Sequence, residues 1–566
     1  MSCSSNNAIK HIVIVGGGAA GWLTAGIIAA QHNGHLDSGI KVSLIESSAI
    51  PTIGVGEGTW PTMRDTLSTI GIEESEFIAC CDASFKQGSK FIGWARDLTE
   101  ETTNDADKSY QASIKGTHTY YHPFVAPHGF GQSDLVQHWL RQNQDTAATN
   151  PDSHSNTYDE PSFAHALGSQ AHLCDYNKAP KQIQTPPYAA VANYGYHLDA
   201  GKFSALLKQH CCNKLGVNHI DDVVTGVSAS EDESIEAVLT EQHGQIAGDL
   251  FIDCSGQHAL LIGKHYQIPL REQSHVLFND SAIAVQVPYP SDSHPISSQT
   301  NATAHDNGWI WDIGLPTRRG VGCVYASQYC DKATALNALK EYIAKTAPDI
   351  EFSTLEPRHI AFTPGYREKF WHKNCVAVGM AAGFIEPLEA SALALIELSA
   401  KMIAKELPSV KSIMPITANR FNERFEYRWQ RIIEFLKLHY VLSERTSDYW
   451  QANRERNSIP ARLQELLTLW EHQEPSYNDF PQVEEIFPAA SYQYVLYGMG
   501  FKSNLRHWQR QFDNPLLSEK LVQENKQLID RYLGGLPTNR ELINALVQQY
   551  QRQHDKEHEL NKQQAI

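Results

Sequence analysis

Residues 11–30, HIVIVGGGAAGWLTAGIIAA, pass from a short apolar block through a glycine-rich turn into apolar positions at helical spacing, which predicts a strand, a tight turn and a helix. A second apolar block, IKVSLIE (40–46), ends on an acidic residue, so the first 46 residues read as a βαβ unit. GDLFIDCSG (248–256) and the long segment KNCVAVGMAAGFIEPLEAS (373–391) each begin as an apolar strand and run into small residues. From about residue 393 the period changes. ALALIELSAKMIAKEL, ANRFNERFEYRWQRIIEFLKLHYVL and ARLQELLTLWEH carry apolar residues every three to four positions and predict helices. The last forty residues read as one polar, Gln-rich amphipathic helix with a frayed end, and residues 100–195, rich in Tyr, His, Pro and Gly, as irregular insertions with short helices. With no internal repeat and no obvious linker, the pattern describes an α/β core over 1–392 and a mainly helical region over 393–566 that covers it.

DASFKQGSKFIGW (82–94) stands apart, because its spacing sets Lys86 and Lys90 one helical turn apart among Phe85, Phe91, Ile92 and Trp94. Charge narrows the partners: 64 acidic against 47 basic residues give a formal charge of −17, which repels nucleic-acid backbones and anionic lipid surfaces. No secretory leader opens the chain and no apolar run reaches the roughly 20 residues of a membrane span, so a cytoplasmic protein is expected. Ten cysteines without a C-x-x-C spacing fit reduced thiols and no metal site.

The glycine turn carries the first chemistry. Gly16, Gly18 and Gly21 fall in a G-x-G-x-x-G arrangement between strand and helix, where free helix N–H groups meet a pyrophosphate, and Glu46 stands where an acidic side chain can hold a ribose hydroxyl. Spacing alone does not distinguish NAD from FAD.

Four segments in order resemble the flavin-dependent tryptophan halogenases: GGGAAGWLTA; TIGVGEGTWPTM (52–63) followed by ASFKQGSKFIGW; GWIWDIGLP (308–316); and FIEPLEAS (384–391). The resemblance implies a Rossmann-like, flavoprotein monooxygenase-type FAD fold, with Val223 and Gly256 joining the glycine turn in the cofactor site. It implies a reaction in which reduced FAD, oxygen and a halide, chloride or bromide, give hypohalous acid. A separate NAD(P)H-dependent flavin reductase supplies the FADH2, and a homodimer is possible within the family. By the same motifs Lys86 is the catalytic residue that holds or captures the halogen. An amine serves where a guanidinium would not, because burial tunes its pKa and its nitrogen is reactive. Glu389 is the partner that positions the halogenating species or receives the ring proton, while Glu386 reads as structural. Ser391 and Ala392 occupy the halide-binding positions in place of Thr-Gly. Trp309 and Trp311 belong to the signature that separates flavin from substrate, with Gly314 where proline is usual. His122 and Phe124, in TYYHPF (119–124), are the residues expected to sandwich a planar arene.

One departure bears on substrate. The stretch SYNDFPQVEEIFPAASYQ (476–493) carries Phe487-Pro488 where tryptophan-specific members have Phe-Trp, and no tyrosine pair precedes it, so the clamp for an amino acid's ammonium and carboxylate is missing. Indole or another electron-rich arene is therefore expected rather than free tryptophan. Two competing readings remain: an aromatic hydroxylase, which Met380 disfavours by standing where such enzymes usually carry aspartate, and a non-catalytic flavin-binding protein, which would have no use for Lys86 and Glu389.

Overall fold

The computed structural model describes residues 8–32, 36, 39–49, 56–97, 119–149, 162–505 and 514–564, with side chains left aside at 143–149 and 557–564. Residues 52–55 of TIGVGEGTWPTM, and 98–118 and 150–161 of the expected irregular insertions, lie outside the described residues.

The apolar blocks of the sequence form the centre of a six-stranded sheet. Its order is Trp371–His372, Cys375–Ala377, Leu250–Asp253, His11–Val15, Lys41–Glu46, Asn218–Asp221, parallel except at the first pair. Strands buried on both faces read as unbroken apolar runs, as IVIV and LFI do here. Helix Ala19–Gln31 closes the βαβ unit and packs between helices Ser391–Lys405 and Ala200–Lys214. This is the expected α/β architecture.

A second, seven-stranded sheet runs Arg358–Ala361, Ser281–Pro288, Arg318–Tyr325, Gly308–Gly314, Thr300–His305, Gly88–Ile92, Thr119–Pro123. Its two faces are used differently, because side chains alternate along a strand. From Gly308–Gly314, Trp309, Trp311 and Ile313 join the main core, whereas Ile310 joins a smaller core with helix Lys332–Thr346. A three-stranded sheet, Gly56–Gly58, Gly195–Asp199, Ser84–Lys86, sits beside it.

The segment 82–94 is therefore not a helix. Lys86 ends one strand and Lys90 lies within the next, with Gln87 between them. Gly88, at φ +152°, opens the second strand, and a Cβ there would lie 2.5 Å from the His122 carbonyl oxygen. A short run of apolar residues broken by two cations satisfies either period, and the glycine decides it.

Helices Met414–Val441 and Ala461–Trp470 confirm the helical C-terminal pattern, and the main core is continuous across residue 392, joining Ile12 and Leu44 to Phe435 and Leu496. The expected single C-terminal helix is instead two, Pro515–Gly535 and Asn539–Gln564, broken after the Gly534-Gly535 pair. Glycines end the first helix because they favour its termination, and Thr538 opens the second by pairing with Glu541. Among the described residues the cysteines are free, and no helix is long and apolar enough to cross a membrane.

Candidate active site

The glycine turn lies at the carboxyl edge of the six-stranded sheet, where open α/β sheets bind ligands. Gly16 sits at φ +113°, and a Cβ on it would lie 2.3 Å from the Cys254 carbonyl oxygen, so no other residue fits. Gly18 caps helix Ala19–Gln31 with open space on its Cβ side, and Gly21 is buried in the first turn. The first N–H groups of a helix have no partner within it, and at this turn they are the kind that receives a pyrophosphate. Glu46 arches over Gly17, whose Cβ would lie 1.5 Å from Oε2, and is held by Lys208 Nζ at 2.8 Å and His219 Nε2 at 3.1 Å. Val223 follows strand Asn218–Asp221, and Gly256, at φ +67° with nothing near its Cβ position, follows Leu250–Asp253. The six predicted cofactor residues thus collect at strand ends, the loops after them and the first helix turn along one edge of one sheet, and they fit a dinucleotide.

From this edge an apolar cavity of about 160 Å3 reaches toward the second sheet. Lys86, Glu389, Ser391, Ala392, Trp309 and Trp311 all line it, as do Ser89 and Met380. Trp309 donates its Nε1–H to Glu386 Oε2 at 2.7 Å, an oxygen that also accepts from Asn279 Nδ2 (2.7 Å) and Tyr440 OH (2.6 Å). Glu386 is thereby a holder of the tryptophan wall.

Lys86 is fully enclosed, and burial draws its ammonium down to about 8, with the Glu389 charge pulling the other way. Its Nζ lies against Gly58 and 5.5 Å from the Phe124 ring centroid. His197, buried behind Gly58 and held by Thr300 Oγ1 at 2.8 Å, is kept neutral by burial and by the Lys86 charge.

Glu389 is surrounded differently. His122 Nδ1 lies 2.9 Å from Oε1, His439 Nε2 lies 3.5 Å from the same oxygen, and Ser89 Oγ donates to Oε2 at 3.2 Å. Burial alone would raise this carboxyl, but His122, His439 and Lys86 outweigh it and hold the group below its usual range. His439 is fixed by Tyr120 OH on Nδ1 (2.6 Å) and by stacking on Phe91, and burial takes its pKa down to about 3. The nearest ring neighbours of Glu389 are the two histidines; Lys86 lines the same cavity without a direct bond to it among the described residues.

The backbone carrying the carboxylate is unusual. Glu389 (φ 62°, ψ 7°) and Ala390 (φ 53°, ψ 46°) are consecutive non-glycine residues in the left-handed region. Trp60 Nε1 ties down the Glu389 carbonyl at 2.8 Å. Ser391 then begins helix Ser391–Lys405, so its hydroxyl and the first helix N–H groups border the cavity at a positive dipole end.

The structure thus brings Lys86, Glu389, Ser391, Ala392, Trp309 and Trp311 into one cavity and sets Phe124 beside Lys86. His122 receives a part the motif did not give it, since its ring nitrogen serves Glu389 while its face meets Phe435 at 5.3 Å. Sequence reasoning missed Ser89, His439, Tyr120, Gly17 and Gly58. Ser89 and His122 are register partners on adjacent strands, so pairing those two segments was the one signal that could have found Ser89.

Comparison with known proteins identifies the family. Residues 11–513 match a family model described as Tryptophan halogenase. The tryptophan 6-halogenase SttH of Streptomyces toxytricini is 31% identical over 512 residues, covering 86% of this chain and 89% of that protein. The tryptophan 7-halogenase RebH of Lentzea aerocolonigenes is 32% identical over 79% of each chain. A crystal structure of a tryptophan halogenase from Shewanella frigidimarina superposes with a TM-score of 0.86 at 47% identity, covering 96% of this chain and 98% of that one.

Proposed function

This chain belongs to the tryptophan halogenase family and is a flavin-dependent enzyme, and on that premise we propose that it halogenates an electron-rich arene such as indole, with Lys86 carrying the halogen and Glu389 taking the ring proton. Reduced FAD, held on the Gly16–Gly21 turn and delivered by a separate reductase, supplies with oxygen and halide the hypohalous acid. The rest is the work of the chain. Ser391, Ala392 and the helix start behind them hold the halide, since N–H and O–H donors at a dipole's positive end favour an anion. The walls of Trp309, Trp311 and Ile313 exclude water that would otherwise hydrolyse or dilute the oxidant. The Lys86 amine takes halogen from the hypohalous acid, releasing water. At neutral pH a lysine drawn down to about 8 is roughly a tenth amine, against well under a thousandth for an ordinary one.

The observation that carries this reading is the placement of Lys86 and Glu389 on one apolar cavity without an ion pair between them. A salt-bridged pair would be structural, whereas a separated amine and ionised carboxylate leave room for a ring carbon between halogen donor and base. The choice of a bare arene is supported by Phe487, whose ring stacks on Phe435 at 3.8 Å beside His122 and leaves an apolar surface where an amino-acid clamp would stand. A zwitterion buried there without partners loses several kcal/mol of hydration.

The test is turnover with FAD, a flavin reductase, NADH and chloride or bromide over a panel of arenes, read by isotope pattern in mass spectrometry. Lys86→Ala is expected to consume oxygen and reduced flavin normally and to form no enzyme-directed product. Regioselective halogenation by Lys86→Ala overturns the role of Lys86, and hydroxylated product without halide overturns the reaction class.

A further inference from the structure

The two oxygens of Glu389 have different surroundings. Oε1 faces two imidazole nitrogens, His122 Nδ1 at 2.9 Å and His439 Nε2 at 3.5 Å. Oε2 accepts from the Ser89 hydroxyl at 3.2 Å. His439 cannot turn away, because Tyr120 OH holds its Nδ1 and its ring lies between Phe91 on one face and the edges of Phe435 and Trp94. Tyr120 OH and Nδ1 share one hydrogen bond, which keeps the Nε2 edge turned toward Oε1, so a proton arriving on Oε1 would meet two ring nitrogens already crowded against it. A hydroxyl is different: it donates or accepts by rotating its hydrogen. Ser89 is 4% exposed, lines the same cavity as Lys86, and lies three residues from it in the chain.

We propose that Oε2 is the working base of Glu389 and that Ser89 is its positioning residue, stabilising the ionised oxygen before proton transfer and rotating to accept from it afterwards. This rests on the halogenase reading. The Lys86 amine, hypohalous acid and one proton give a haloammonium N–X and water. The ring π pair then attacks the halogen, the C–X bond forms, and the N–X bond breaks with its electron pair left on nitrogen as the free amine. The ring proton leaves to Oε2 while the C–H pair returns to the ring, and its release from Oε2 to solvent replaces the proton taken up in the first step, restoring both groups. The charged or titratable groups facing Glu389 are His122 from strand Thr119–Pro123, His439 from helix Met414–Val441, and Lys86 lining the same cavity, with Tyr120 behind His439. Ser89→Ala removes none of them.

The test compares wild type, Ser89→Ala and Ser89→Thr, the last keeping a hydroxyl on a strand that favours β-branched residues. Indole and indole deuterated at the reacting carbon are the substrates. Wild type is expected to show an isotope effect near unity. Ser89→Ala is expected to lose roughly tenfold in kcat at unchanged KM, to show a primary isotope effect above about 2, and to move the acidic limb of its kcat profile upward by about one pH unit, as loss of one hydrogen bond to a charged oxygen implies. Ser89→Thr is expected to restore all three. Equal isotope effects and pH limbs in wild type and Ser89→Ala overturn the assignment of Oε2, as does failure of Ser89→Thr to restore what Ser89→Ala loses. If wild type itself makes no halogenated product while oxidising reduced flavin, the halogenase reading fails instead.

Discussion

Gly58→Ala adds one methyl group at the place where the lysine is held. The ideal Cβ would stand 3.1 Å from Lys86 Nζ, 3.1 Å from the Ala390 methyl and 3.7 Å from His197 Cδ2. Gly58 has no positive φ, so the strand accepts alanine without backbone strain, and the smaller entropy of the unfolded chain offsets part of any crowding. Ordinary carbon contacts begin near 3.5 Å, so Nζ must retreat by about half an ångström into the cavity, because Ala390 belongs to the fixed left-handed pair. A displacement of 1 Å at a reacting group costs on the order of 100-fold, so half of that is expected to cost about tenfold in kcat/KM for indole. The assay measures chlorination kcat/KM, FAD affinity and thermal midpoint together. The expected result is a tenfold kinetic loss with FAD affinity unchanged and the midpoint within a few degrees of wild type. Wild-type kcat/KM in Gly58→Ala refutes the claim that Nζ is held in place for halogen transfer, and a kinetic loss that tracks a large fall in the midpoint assigns the effect to the fold.

The two outer glycines of the turn are expected to fail in different ways. Gly18→Leu has open space and should keep its thermal midpoint while losing FAD binding by fluorescence titration, whereas Gly16→Ala, strained and pressed on Cys254, should lose about 2 kcal/mol or more in urea unfolding. If Lys86 acts as proposed, halogen transfer in single-turnover assays with added hypohalous acid should rise with pH toward about 8 as the amine fraction grows and fall again as hypohalous acid ionises, and Lys86→Arg should be inactive throughout. Asp175, which accepts from His165, Lys90 and Tyr121, is brought down to about 2 by those partners against the push of burial. Its folded pKa is depressed, so its contribution of about 2 kcal/mol is complete above pH 4 and disappears as pH falls toward 2, and Asp175→Asn should abolish that acid dependence in urea midpoints.

The βαβ start was legible because glycines and apolar blocks act locally, and Gly16, Gly18 and Glu46 stand where their spacing put them. Lys86 was legible from its motif but not from its period, since six residues around it suit strand and helix alike and only the φ of Gly88 separates the two. His122 was legible as a site residue, yet its hydrogen-bond partner lies 267 positions away and depends on a strand register that no single segment encodes. His439 gave no signal at all. In FLKLHYVL it looks like one more buried position on a long helix, and only the packing of that helix against strand Gly88–Ile92 turns its nitrogen toward Glu389. The break at Gly534 was missed for the opposite reason: the amphipathic pattern continues through it, and continuity of pattern hid a change of direction.

The left-handed pair at Glu389 and Ala390 has a consequence for the history and the engineering of this protein. A non-glycine residue held there costs on the order of 1 kcal/mol, so glycine at 390 would make the chain more robust to heat. The same change would free the loop that aims the carboxylate. Any selection that counts only survivors of heating will therefore enrich glycine at 390 and, with it, weaker halogenases, and a library meant to yield a hardier catalyst has to be sorted on product as well as on persistence.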